Sequence, residues 1–220
     1  MWGVDTATPK IKFCGITDPV DADVAVAAGA WALGLNLWPG SPRQCRRDVA
    51  AEIAAAHRRH VQITGVFVNA TLDQVARAAE EIGMTIVQLH GDEGPSFCAE
   101  AARRTGCRVI KAARVRSGAD IQALTAFHTD FHLLDSYIRG VPGGTGETFA
   151  WELAHAHGRG TPVILSGGLT AENVGEAIAA VRPYAVDVAS GVESAPGRKD
   201  HAKLREFAAA VAATAPVTAP

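Results

Sequence analysis

Eight short apolar runs recur along this chain, each followed by a stretch with helical patterning. This alternation constrains the fold more than any other feature. The runs are Ile11–Cys14, Ala32–Leu37, Gln62–Val68, Thr85–Leu89, Arg108–Lys111, Phe131–Leu134, Pro162–Leu165 and Ala185–Val188. Several are too continuously apolar to be strands with one wet face, and they suit a parallel sheet covered by helices. The helical patterns fall at Asp18–Ala28, Arg47–Arg59, Thr71–Ile82, Ser96–Thr105, Ser117–His128, Phe149–His157, Thr170–Val181 and His201–Ala213. Thr71 is a good helix cap and Gly83 a stop. Eight repeats in 220 residues predict an α/β protein with one domain, a (β/α)8 TIM barrel. An open doubly wound sheet uses fewer repeats at this length. No linker divides residues 1–220; residues 1–9 and 214–220 read as loose ends.

The bulk properties exclude several function classes. A formal net charge of −2 gives no general attraction to nucleic acid or anionic lipid. Val24–Pro42 carries no charge, but Gly29, Gly34, Asn36 and Pro39 break it, so a helix end feeding a buried strand explains it better than a membrane span. Met1–Pro9 lacks the basic start and apolar core of a signal peptide. The 4 cysteines, at 14, 45, 98 and 107, form no C-x-x-C pair, which suits neither zinc nor a disulfide framework. The expectation is a reducing, cytoplasmic setting, with no metal and no cofactor.

In a parallel barrel the carboxyl ends of the strands carry the chemistry. Cys14 ends the first run and Asp135 follows the sixth, so a thiol and a carboxyl stand at strand ends as a candidate base and acid. A free thiol has a pKa of about 8.5, and a neighbouring helix N-terminus would lower it. The opposing readings are a buried core cysteine and a capping carboxylate. Cys45, Cys98 and Cys107 read as structural. Pro42 stiffens the loop after the second strand and aims Arg43, which is suited to gripping a carboxylate; a solvated arginine is the plainer alternative.

Leu165–Thr170 and Val188–Glu193 follow the seventh and eighth strands and are rich in glycine. Loops at those two repeats commonly hold a phosphate through backbone N–H groups and a helix N-terminus. Gly140–Thr148 is similar in composition to a nucleotide P-loop, but Glu147 stands where the lysine belongs, so a mobile covering loop is the better reading. Gln88–Glu93 is weak as a metal site and reads as a capping or supporting segment.

Taken in order, Lys12-Phe13-Cys14-Gly15-Ile16-Thr17, Ser41-Pro42-Arg43, Gly65-Val66-Phe67-Val68-Asn69, Gln88-Leu89-His90-Gly91-Asp92-Glu93, Leu134-Asp135-Ser136, Gly143-Gly144-Thr145-Gly146, Ser166-Gly167-Gly168-Leu169 and Asp187 with Ser190-Gly191-Val192-Glu193 resemble the phosphoribosylanthranilate isomerases of tryptophan biosynthesis. The resemblance runs from about Lys10 to Phe207. It implies an Amadori rearrangement of N-(5-phosphoribosyl)anthranilate. Asp135 would be the general acid and Cys14 the general base. Arg43 would bind the anthranilate carboxylate, Asp187 would orient substrate, and Gly167, Gly168, Ser190 and Gly191 would bracket the phosphate. The implied partner is this small-molecule substrate. A monomer is the default, with a homodimer as the alternative. Two positions depart from the family: Ala189, where relatives often have serine, and Asn36, in a strand usually more apolar at that point. The competing readings are a related isomerase acting on a sugar with two phosphates, for which no second phosphate loop is visible, and a ligand binder built on a decayed barrel.

Overall fold

In the computed structural model, residues 8–135, 151, 153–154, 157 and 160–215 are described. Strands β1 (Lys10–Cys14), β2 (Ala32–Asn36), β3 (Gln62–Phe67), β4 (Ile86–Leu89), β5 (Arg108–Arg114), β6 (Phe131–Asp135), β7 (Val163–Ser166) and β8 (Ala185–Val188) pair in chain order. All neighbours are parallel, and β8 returns to β1 to close the barrel. The strand expectations therefore hold to within a residue or so, except that β5 runs on to Arg114.

Among the described residues, the connections hold helices α1 (Pro19–Ala27), α2 (Arg47–His57), α3 (Leu72–Ile82), α4 (Pro95–Thr105), α5 (Gly118–Ala123), α6 (Val174–Val181) and α7 (His201–Ala212). Local chemistry sets their ends. Thr71 and Gln74 form a reciprocal capping box at the start of α3, and Gly83, at φ 73°, ends it in the left-handed conformation that glycine adopts without a steric penalty. Asp18 accepts from the Val20 N–H to start α1. Two expected helices are shorter. The Ser117–His128 pattern becomes α5 plus a turn of 3-10 helix at Leu124–Ala126, and the seventh-repeat helix begins at Val174, not at Thr170. The helix expected over Phe149–His157 and the loop at Gly140–Thr148 lie largely outside the described residues.

After β8 the chain does not go straight to α7. It forms a 3-10 turn (Ser190–Val192) and a small hairpin, β9 (Glu193–Ala195) with β10 (Arg198–Lys199). Nothing in the repeat pattern signals this hairpin, because its strands are only 3 and 2 residues long.

The main core packs strand faces against helices, with Phe13, Leu33, Leu35, Ile53, Ile63, Leu89 and Phe207 fully enclosed. Alternate residues of each strand point the other way, into the barrel. There the filling changes along the axis. At the amino-terminal end Trp31, Phe131 and Tyr184 form a ring cluster with centroids 5.3–5.6 Å apart. Lys10 stands over Tyr184 at 4.7 Å, and Arg108 over Phe131 at 5.4 Å. Ile86, Ile110, Leu133 and Ile164 lie in the same apolar cluster. Further along the interior become polar side chains: Lys12, Thr64, Gln88 and Asp187, all buried. Among the described residues only Val20 and Trp38 are large apolar side chains left exposed.

Candidate active site

Period-two alternation explains how the site is assembled. On β1, Lys10, Lys12 and Cys14 share one face; on β6, Phe131, Leu133 and Asp135; on β8, Ala185 and Asp187. The inward face that is apolar at the amino-terminal end therefore delivers reactive groups at the carboxyl end. They converge on a cavity of about 480 Å³ lined by Cys14, Arg43, His90, Asp135, Gly167, Gly168, Asp187 and Ser190, together with Asn36 and Gln88. Seven of the eight residues singled out from sequence thus meet in one pocket. The eighth, Gly191, is absent from its lining. It has a packing reason instead: a Cβ there would collide with the carbonyl oxygen of Leu169. Gly191 is what lets the loops after β7 and β8 touch.

The loop after β7 needs its glycines for a different reason. Gly167 and Gly168 have φ of 99° and 65°, conformations that cost a side-chain-bearing residue dearly. Asn173 ties this loop together, accepting from the Thr170 N–H at 2.8 Å and donating to the Gly168 carbonyl at 3.1 Å. The nearest long helix starts only at Val174, so the α6 N-terminus lies further from these glycines than the sequence pattern suggested.

Around Cys14 the charges are dense. Lys12 is 0% exposed and its Nζ lies 2.6 Å from Asp187 Oδ1. Ser166 Oγ donates to Asp187 Oδ2 at 3.0 Å. Lys199 Nζ donates to the Cys14 carbonyl at 2.6 Å and the Ala189 carbonyl at 3.0 Å, and pairs with Glu193 at 3.1 Å. It therefore staples the end of β1 to the end of β8. Burial raises the Cys14 thiol above its ordinary value; Lys12 and Lys199 pull it back, and Asp187 pushes it further up. Burial is the largest influence on this thiol, and the groups that oppose it are lysines. Burial works against the charge on Lys12, but Asp187 and Cys14 more than offset it and hold the ammonium above its usual value. Burial depresses Lys199 despite Glu193.

Arg43 is fixed by Glu193 of the hairpin. Nε donates at 2.8 and 3.1 Å to the two carboxylate oxygens, and Nη2 donates at 2.7 Å to Oε2. Burial would raise the Glu193 carboxyl, but Arg43 and Lys199 hold it below its ordinary value. On the opposite wall, Gln88 Nε2 lies 3.0 Å from His90 Nδ1. With the amide donating there, the ring proton sits on Nε2, which faces Asp135 Oδ2 at 3.5 Å. Glu93, two residues after Gly91, accepts from the N–H groups of Asn69 and Gly91 and pairs with buried Lys111 at 3.0 Å, a supporting role that matches the expectation for this segment. Asn36 also gains an explanation. Its side chain accepts from the Trp38 N–H at 3.0 Å and shapes the turn that leads to Arg43.

Cys45, Cys98 and Cys107 are buried free thiols, as read from sequence, with Cys45 pushed up to about 11 by its burial. No group of three or more His, Cys, Asp or Glu among the described residues could hold a metal ion. No described helix is long and apolar enough to cross a membrane.

Lys12, His90, Glu193 and Lys199 were not assigned roles from the sequence. Lys12 was detectable: a lysine two positions before Cys14 in an apolar strand must share its inward face. Glu193 and Lys199 were not, since only the unforeseen hairpin brings them back to β1.

A closed parallel barrel with a thiol, a carboxyl and an arginine around one cavity at its strand carboxyl ends, beside a glycine-lined loop pair, is a TIM-barrel enzyme suited to acid–base chemistry on an anionic substrate. The family model for N-(5'-phosphoribosyl)anthranilate (PRA) isomerase matches residues 11–210. An N-(5'-phosphoribosyl)anthranilate isomerase of Geobacter metallireducens is 48% identical over 198 residues, covering 90% of this chain and 96% of that protein. The crystal structure of phosphoribosyl anthranilate isomerase from Thermotoga maritima superposes with a TM-score of 0.83 at 37% identity, covering 93% of this chain and 99% of the other. A phosphoribosyl anthranilate isomerase solved with reduced 1-(o-carboxyphenylamino)-1-deoxyribulose 5-phosphate gives a TM-score of 0.80 at 35% identity, with coverage of 93% and 99%. The chain belongs to the phosphoribosylanthranilate isomerase family, the isomerases of tryptophan biosynthesis.

Proposed function

We propose that this barrel converts N-(5-phosphoribosyl)anthranilate to 1-(2-carboxyphenylamino)-1-deoxyribulose 5-phosphate, with Asp135 as general acid and Cys14 as general base. The observation that carries the assignment is that β1 and β6 deliver a thiol and a carboxyl to the same cavity. Asp135 gives its proton to the ribose ring oxygen as the ring opens, and the nitrogen lone pair forms an iminium. The cation acidifies the adjacent C–H. Cys14 takes that proton, the C–H electrons move toward nitrogen, and the resulting enolamine relaxes to the ketone. A weak base suffices because the iminium supplies the electron sink.

Arg43 binds the anthranilate carboxylate, the backbone around Gly167, Gly168 and Ser190 holds the phosphate, and Gly191 keeps that loop pair closed. The carboxylate of Asp187 is engaged by Lys12 and Ser166, which favours a part in organising the site over a direct grip on substrate. The default assembly is a monomer. The protein works in the cytoplasm without a cofactor. Incubating the purified protein with freshly made phosphoribosylanthranilate tests the reading: product must accumulate at a rate proportional to enzyme. Absence of turnover in a folded sample would overturn it.

A further inference from the structure

We infer that Lys12 is the positioning residue that makes Cys14 usable as a base: its enclosed ammonium, anchored by Asp187, is the counter-ion of the Cys14 thiolate. This rests on the reading of Cys14 as the base.

Lys12 and Cys14 are two residues apart on β1, so both point into the barrel. Across from them on β2 stands Gly34, paired with Cys14 in the strand register. A Cβ built on Gly34 would lie 2.8 Å from Cys14 Sγ and 3.1 Å from Lys12 Nζ. The two end groups therefore crowd over the same point, and the missing side chain at Gly34 is what lets them share it. Lys12 is enclosed completely, which is costly for an ammonium unless a partner repays the lost hydration. Asp187 Oδ1 at 2.6 Å is that partner, and Ser166 occupies the other carboxylate oxygen at 3.0 Å. An ammonium has three donors, and one carboxylate oxygen uses only one of them.

The other charges around Cys14 are already committed. Lys199 is spent on two backbone carbonyls and Glu193, and Arg43 on Glu193. Asp187 by itself disfavours a thiolate; through Lys12 its effect is reversed, because it keeps the ammonium charged. When Cys14 removes the sugar proton, a C–H bond breaks and an S–H bond forms. Lys12 keeps all its protons and remains paired with Asp187, so the site is left neutral as the iminium charge is discharged.

The experiment follows the Cys14 thiolate directly, by its ultraviolet absorbance and by its alkylation rate against pH. Cys14→Ser supplies the background from the three buried thiols. In Lys12→Met the Cys14 midpoint should rise by roughly one to three pH units, the effect of losing an opposite charge a few ångströms away. The plateau kcat should fall about tenfold to a thousandfold, tenfold per unit, with KM little changed and the alkaline limb moving up in step. Lys12→Met/Asp187→Asn leaves no orphaned carboxylate and carries the test if the single variant does not fold; its midpoint should stay high. An unchanged midpoint in Lys12→Met, or a wild-type midpoint in the folded double variant, overturns the inference. Failure of the base reading itself looks different: Cys14→Ser would keep its turnover, whatever Lys12 does to the thiol.

Discussion

Glu193 grips Arg43 through both Nε and Nη2, at 2.7–3.1 Å, and leaves Nη1 outside that grip. The guanidinium is thus oriented before any substrate arrives, which lowers the entropy lost on binding. Arg43→Ala should weaken binding of the anthranilate-derived substrate by about 1.5–3 kcal/mol, the worth of a charge-assisted hydrogen bond. That is roughly tenfold to a hundredfold at about 1.4 kcal/mol per decade. The check is a competition between the natural substrate and an analogue lacking the ring carboxylate; wild type should discriminate and the variant should not.

Glu193→Gln should reproduce part of that loss without touching the arginine. The amide keeps the size of the side chain and removes the charge that orients Nε and Nη2. Lys199 loses its ion pair at the same time. KM is expected to rise while kcat stays within a few-fold of wild type. An unaltered KM would mean that Arg43 holds its position by other means.

Cys14→Ser should cost roughly 10²–10⁴ in turnover, the usual contribution of a general base, because a hydroxyl ionises far less readily than a thiol. Binding of a product analogue should be preserved. Turnover within a few-fold of wild type would remove Cys14 from the mechanism.

Asp135→Asn should block ring opening, since an amide N–H is far too weak an acid to protonate the departing oxygen. The pH profile supplies the sharper readout. Wild type requires one group protonated and one ionised, which gives a bell. In the variant only the base matters, so residual activity should climb with pH through the burial-raised value of the Cys14 thiol. A profile that keeps its bell would return Asp135 to a capping role.

Gly191→Ala should destabilise the protein by about 1–3 kcal/mol, the typical cost of overpacking. The added methyl meets the backbone of Leu169, which cannot swing aside as a side chain would. Denaturant midpoints measure the loss. Affinity for a phosphate-bearing inhibitor should fall with it, because the two loops part together.

The barrel was legible because a strand covered on both faces leaves a continuous apolar run, and eight of them were counted to within a residue or so at most ends. The pairing of Cys14 with Asp135 was legible too, since both close such a run. What escaped reading has physical causes. Lys12 shares the inward face of Cys14 by spacing alone, but only closure of the barrel encloses it and brings Asp187 to it. The hairpin of Glu193–Lys199 is too short to carry a period, yet it supplies partners for Arg43 and Cys14. Asn36 broke the apolar pattern of β2 because it serves the turn after the strand. Gly191 was expected to bracket the phosphate, and the structure adds a packing reason for it, the close approach of two loops, which spacing does not reveal.

The ring cluster at the amino-terminal end gives the protein a built-in optical probe of the barrel base. Trp31 packs there edge-on against both Phe131 and Tyr184, half-buried, while Trp151 lies in the main core. Trp38, 42% exposed, stands two residues past the carboxyl end of β2. With 4 tryptophans emitting together, the Trp31 signal is the difference between the wild type and Trp31→Phe. That difference should stay still when a ligand enters at the strand carboxyl ends and should change when the barrel base is lost. Events at the base can then be timed without any attached dye.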